Sequence, residues 1–325
     1  MVTGIASSLP GAERTPPRKH RTPARLGGTG PLSRSARRWL TIVVFLLPAL
    51  VVLGTFNFWP MIDALRLSFT DASGFGREEF VGLDNYLQVF TDSAIVRSMG
   101  NTVWYAVLFT PTAVVVALAL ALALNHPRLP LRGFFRTWLF LPFIVSLAVA
   151  AFAWQYLLDP QVGLVNYWLQ TFGIRIGNVL QDPALAMPTV ALIAVWKSFP
   201  FYMIVFLAGL QEIPPSLYEA ARVDGASNWS RFRHITLPLL GNTTGFVLVI
   251  ATIAALQAFD QIYILTGGGP YRSTQTVVMQ IYESGFKNLE LGFASALSYV
   301  LLVATLLLGL VQFALSSRRA KDAAA

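Results

Sequence analysis

VVVALALALAL, residues 114–124, decides the fold class, because every side chain in it is apolar and no face is left for water. A strand of a membrane barrel alternates polar with apolar residues over roughly ten positions; here only large and small apolar side chains alternate. Peptide groups inside a bilayer must be bonded within their own segment, so the stretch is a helix. LLVATLLLGLV at 301–311 reads the same way. Working outward, the hydrophobic residues gather into about six segments, near 39–59, 100–124, 137–158, 185–210, 240–265 and 292–315. Each has about 20 residues or more, enough for a hydrocarbon core of about 30 Å. Composition agrees: the 325 residues are 55% hydrophobic and only 12% charged, with a mean hydropathy of +0.58, a balance foreign to soluble globular chains. The expected fold is an all-α integral membrane protein with about six transmembrane helices spanning 39–315.

Charge sets the expected orientation. With the N-terminus inside, the inner segments hold 17 of the 24 Lys and Arg residues and the outer loops 6, Lys197 being the last. That asymmetry places both termini in the cytoplasm. The net charge of +8 follows from this topology and is no sign of nucleic-acid binding. Residues 1–38, rich in Pro, Gly, Ser and Arg, are expected to be a disordered cytoplasmic tail, and Arg34, Arg37 and Arg38 can touch anionic headgroups. Residues 316–325 read as a second, short cytoplasmic tail. No small-residue cleavage site follows WLTIVVFLLPALVVLGTF, so the first segment reads as an anchor. There are no cysteines, hence no disulfide and no Cys-based metal site.

One long inner segment, 211–238, is too polar for lipid. In LQEIPPSLYEAARVDGASNW, Pro214 and Pro215 stop one helix, and Ser216 can cap the next. Leu217, Ala220, Ala221 and Val223 give that short helix an apolar side, while Glu219, Arg222 and Asp224 are polar. Gly225 can end it in a left-handed turn. Ser227 or Asn228 can cap a second helix, WSRFRHI, with Trp229, Phe232 and Ile235 three apart, before Leu237-Pro238 leads back to the membrane. Two short helices joined at a glycine form a knob suited to a partner's groove.

The residues Glu219-Ala220-Ala221, three more, Gly225, nine more, Ile235, one more and Leu237-Pro238 match the EAA–X3–G–X9–I–X–LP signature. The chain therefore resembles the permease subunits of binding-protein-dependent ABC importers. VWKSFPFYMIVFLAGLQEIPPSLYEAARVDGA and FDQIYILTGGGPYRSTQTVVMQIYESGF are similar to the first permease of the carbohydrate-uptake subfamily, that of maltose, lactose and glycerol-phosphate. The resemblance implies a type I importer permease fold that pairs with a second, homologous permease. It also implies a dimer of cytoplasmic ABC ATPase subunits and an extracytoplasmic solute-binding protein. ATP and Mg are then bound by the partner ATPase, and this chain, which has no GxxxxGK[ST] loop, carries no cofactor and no catalytic residue. Glu219 is carried over as the carboxylate that meets a basic residue of the ATPase cleft, with Ala220 and Ala221 allowing close approach, Asp224 beside them and Gly225 making the turn. Ile235, Leu237 and Pro238 complete the motif.

The transport pathway is less marked. Polar groups at membrane depth are its default candidates. Lys197 falls near the middle of the fourth segment and Asp260 near the outer end of the fifth; they can pair if Lys197 extends outward. Gln155, Gln257 and Ser198 can hydrogen-bond a polyol, and Trp154, Trp196 and Phe201 can stack on a sugar face. In ATIAALQAFD (251–260), Ala254, Ala255 and Ala258 would widen a passage without holding a ligand. Outside the membrane, 60–99 reads as a small cap, and Leu164, Val165, Trp168 and Leu169 as a helix that either rests on headgroups or gates the outer mouth. In TGGGP (266–270) glycines and Pro270 break a helix. The expected cargo is a sugar, with glycerol-3-phosphate or a glycerophosphodiester the alternative. A self-sufficient secondary transporter would show an internal repeat or several mid-membrane charges, and a membrane enzyme would need more than the isolated His20, His126 and His234.

Overall fold

The structure is a computed structural model. It describes residues 34–322 except 75, 77, 127, 175 and 176, and the side chains of 38–315 among them. Most of the expected basic tail, up to residue 33, lies outside the described residues. From Arg34 the chain is already helical. At the other end the last helix runs to Asp322, so most of the short tail expected at 316–325 is helical.

The chain divides after Phe58. The first unit holds α1, Arg34–Leu53, followed by a π turn at Gly54–Phe58. Its described side chains are nearly all exposed and mostly apolar, as suits a lipid-facing helix.

The second unit begins with α2 (Trp59–Leu67) and continues through α3 (Asp84–Thr91) and α4 (Ser93–Asn125). Between α2 and α3, the expected cap is an irregular loop held by the buried Asn85, whose amide donates to the carbonyls of Ser68 and Thr70 at 3.0 and 2.7 Å. Next come α5 (Arg132–Ile144), α6 (Leu147–Leu157), α7 (Leu164–Thr171) and α8 (Ala186–Glu212). In α7, Val165 and Leu169 turn inward while Leu164 and Trp168 stay exposed. The core is the α4–α8 pair: α8 is buried over most of its length, and Ala113, Ala117 and Ala121, spaced one turn apart on α4, are completely covered. Within lipid, burial of apolar surface gives no drive between helices, so such small residues act by letting backbones pack closely.

The remaining elements are α9 (Pro215–Val223), α10 (Asn228–Arg231), a π turn at Phe232–Thr236, α11 (Leu237–Leu239), α12 (Gly241–Leu256), α13 (Asp260–Leu265) and α14 (Val277–Tyr282). A π turn at Glu283–Lys287 precedes α15 (Leu291–Asp322). Among the described residues no named strand occurs. Four helices are long and apolar enough to cross a membrane: Arg38–Leu67, Ser93–Asn125, Ala186–Glu212 and Leu291–Leu315. Two bent pairs raise the number to six, in line with the six segments.

Two interruptions, the first of these bends and a separate break after α12, correct the expectation of continuous third and fifth spans. Segment 137–158 is α5 and α6, turned by 93° at Val145 and Ser146, which are extended. Pro142 lacks the N–H that would bond one turn back and crowds the preceding turn, weakening the helix just before the break. Segment 240–265 is interrupted at Gln257–Phe259, where Phe259 leaves the helical region at φ −135, ψ −64. Irregular backbone is tolerated at membrane depth where it is enclosed by protein or lines a cavity. Here it does line one.

Candidate functional site

The polar segment folds as two helices hung between α8 and α12. Pro215 occupies the first position of α9 and Pro214 the cap, so Ser216 lies inside the helix and does not cap it, a correction of two positions. The C-terminus closes through Ala226 N–H to Ala221 O at 2.8 Å and Gly225 N–H to Arg222 O at 3.2 Å, with Gly225 at φ +74. This is the paired closure that a left-handed residue just past a helix end permits. Ser227, one of the two expected caps, accepts from Ser230 N–H at 3.2 Å. The second helix is longer than expected: it runs through the π turn to Leu239 and meets α12 at 66°.

Glu219, Ala220, Asp224, Leu237 and Pro238 are exposed, Val223 is 88% exposed, and Ala221 and Ile235 are half-buried. Ile235 and Tyr218 pack on the core, and the Tyr218 hydroxyl lies 3.0 Å from that of buried Thr236, tying the two helices together. Trp229 and Phe232 pack ring to ring at 5.4 Å. Glu219 and Asp224 have no hydrogen-bonding or ionic side-chain partner among the described residues. The knob thus presents two unpaired carboxylates, small side chains and an aromatic pair on one support. At its root, Gly209 of α8 passes so close to α12 that a Cβ there would meet Thr243 Oγ1 at 2.5 Å.

A cavity of about 390 Å³ opens where α5 and α12 break. Lys197, Ser198, Gln257 and Asp260 all line it, as do Ala254 and Ala258; Ala255 instead faces the core. The expected Lys197–Asp260 pair does not form among the described residues. Lys197 Nζ donates to the Phe143 carbonyl at 2.9 Å and stands 5.0 Å over the Phe143 ring. Phe143 is the penultimate residue of α5, and its carbonyl is one of those a helix end leaves without an intrahelical donor. The cation therefore closes a broken helix, where helix polarity also favours positive charge. Ser198 donates to the Ala194 carbonyl one turn back, leaving its lone pairs free. The side chains of Gln257 and Asp260 are unpartnered among the described residues.

Four other predicted residues stand elsewhere. Trp154 and Trp196 meet edge to face at 5.4 Å and pack on the core. Phe201 stacks on Phe143 at 5.7 Å, supporting the ring below Lys197. Gln155 faces a second cavity, of about 680 Å³. Sequence reasoning missed Phe143, whose role lies in its carbonyl and ring. It also missed the buried bond from Gln261 Nε2 to the Tyr105 hydroxyl, 2.8 Å, which ties α13 to α4. A polar residue at position 261, beside Asp260 in an apolar segment, was the available signal.

Helices long and apolar enough to cross a membrane, a cavity at two broken helices and a polar two-helix knob define a multi-pass transport subunit. The chain belongs to the family of binding-protein-dependent transport system inner membrane components, whose profile matches residues 113–321. It is thus a permease subunit of an ABC importer. It is 38% identical to the sn-glycerol-3-phosphate transport system permease protein UgpA of Agrobacterium fabrum, over 84% of this chain and 93% of that one. It is 36% identical to the probable ABC transporter permease protein YurN of Bacillus subtilis, over 83% and 93%. Among solved structures it is similar to a chain of a bacterial alginate ABC transporter in complex with an alginate pentasaccharide-bound periplasmic protein. There the TM-score is 0.78 at 26% identity, over 90% of this chain and 99% of that one.

Proposed function

We propose that this permease forms half of the translocation pathway for a sugar and is driven by a separate ATPase that docks on the knob. The observation that carries the reading is the exposed, unpaired Glu219 beside Ala220 and Ala221 on a helix closed by Gly225. A carboxylate offered without an internal partner on a rigid support suits a basic groove. Glu219, Ala220, Ala221, Asp224 and Gly225 make the docking face, and Ile235, Leu237 and Pro238 anchor it to the spans. The second half of the pathway is a homologous permease, and ATP and Mg belong to a dimer of ATPase subunits. A solute-binding protein delivers the cargo, and this chain hydrolyses nothing. The distribution of Lys and Arg supports cytoplasmic termini and a cytoplasmic knob.

Within the membrane the cargo passes Ser198, Gln257 and Asp260, while Lys197 holds the broken end of α5. Asp260, and a lysine already engaged by a carbonyl, suit an uncharged cargo. The names of the UgpA relatives favour a second reading, import of glycerol-3-phosphate or a glycerophosphodiester. Affinities of the cognate binding protein for a panel of sugars and phosphodiesters, followed by uptake into proteoliposomes holding the complete transporter, decide between them. Selective uptake of a sugar is expected; uptake of phosphodiesters alone would replace the first reading by the second.

A further inference from the structure

The larger cavity has no part in the pathway just described. It lies where the end of α6 and the loop after it meet the end of α13 and the turn that follows. At about 680 Å³ it is in the size range of small-molecule sites, roughly 300–1,000 Å³. Its polar groups are unspent. Gln155, Asn178 and Gln181 line it, and no side chain of the three makes a hydrogen bond to another described residue. Asp159 joins them: its Oδ1 accepts from the N–H groups of Gln161 and Val162 at 2.8 and 3.0 Å, and the other oxygen is free. Those two bonds hold the carboxyl below its usual range, so it is ionised. The described lining thus carries one negative charge and no cation.

The turn on the other side is strained. Tyr271 and Arg272 have φ of +48 and +61, the left-handed region that side-chain-bearing residues avoid. The conformation is held from α4: the Asn101 amide donates to the carbonyls of Arg272 and Gln275, both at 2.9 Å, and Thr102 Oγ1 accepts from Val277 N–H at 2.9 Å. What the strain presents is the ring of Tyr271, 84% exposed at the cavity mouth. Strain that its surroundings over-determine in this way clusters at ligand sites. Amides that both donate and accept, a carboxylate that accepts, and an open aromatic face match vicinal hydroxyls and the C–H face of a sugar ring.

We propose that this cavity is a carbohydrate subsite, separate from the one at Lys197 and Asp260, taking an uncharged pyranose with its hydroxyls on Gln155, Asn178 and Gln181 and its face on Tyr271. The inference rests on the sugar-importer reading. The charge of Asp159 opposes a phosphate ester.

The chain has no cysteine, so Pro160→Cys places one thiol on the exposed cavity rim. The assembled transporter, with cysteine-free partners and without binding protein, is alkylated by a maleimide in the presence of the sugar it imports or of glycerol 3-phosphate. At a sugar concentration of about twice Kd, labelling is expected to slow about threefold, by the factor 1 + [L]/Kd. Glycerol 3-phosphate gives no protection, and Tyr271→Ala or Gln181→Ala abolishes that given by the sugar. Import of a sugar without protection of the introduced thiol overturns the subsite and leaves the function standing. Protection that appears only when loaded binding protein is added back makes the cavity a contact face and overturns it too. A complex that imports no sugar in the panel overturns the reading beneath.

Discussion

Gly225 holds φ +74 with nothing within 4 Å of where a Cβ would stand. Space is therefore free, and the cost of a side chain there is conformational, about 1–2 kcal/mol and more for a β-branched residue. Gly225→Val should keep membrane insertion while uncoupling ATP hydrolysis from uptake. Asn enters the left-handed region readily, so Gly225→Asn should retain most coupling. ATPase and uptake rates of the two variants in one proteoliposome series make the comparison; equal activities would remove the turn from the coupling argument. Gly225 and Ser227 were legible because a turn and a cap are decided within a few residues. Lys197 was legible only as a charge at depth. Its partner, the Phe143 carbonyl, is 54 positions away and belongs to a peptide group that no side-chain reading marks.

The elements show the same limit. Hydropathy located the six segments because lipid requires about twenty apolar residues in a row. It passed over the breaks at 145–146 and 257–259 because each half remains apolar, and Pro142 was the sole local hint at the first. What keeps the first break open is Lys197, which supplies α5 with the donor its last turn lacks. A hydrogen bond to a charged group contributes about 1.5–3 kcal/mol, so Lys197→Met should lower stability by that order, and Lys197→Arg should recover much of it. Thermal unfolding in detergent measures the loss. Lys197→Met should also depress uptake more than Gln257→Ala does, since it disturbs the wall of the cavity and not one contact within it. Unchanged melting in Lys197→Met would mean that the bend is set by Pro142 and packing alone.

Across the whole molecule, motion at the knob must reach the cavity through the roots of α8 and α12, since the knob is the chain between them. They pass close together at Gly209, where an added Cβ would stand 2.5 Å from Thr243 Oγ1, 3.0 Å from its Cγ2 and 3.1 Å from Leu240 Cδ2. Real Cβ atoms do not come that close, so Gly209→Ala must displace the Thr243 side chain or part the two helices. Overpacking of this kind costs about 1–3 kcal/mol. The face carrying Glu219 lies apart from this contact, so ATPase subunits should still bind, while uptake per ATP falls. Thr243→Ala removes both nearest atoms and leaves only the end of a flexible leucine. The double variant should therefore regain coupling, a non-additivity expected of side chains in direct contact. Pull-down of the ATPase separates docking from transmission, and uptake against ATP turnover in single and double variants gives the coupling. Loss of ATPase binding in Gly209→Ala would show that the root shapes the knob itself. Normal coupling in that variant would place transmission elsewhere, with the α4–α8 pair the next path to probe through Ala117→Leu.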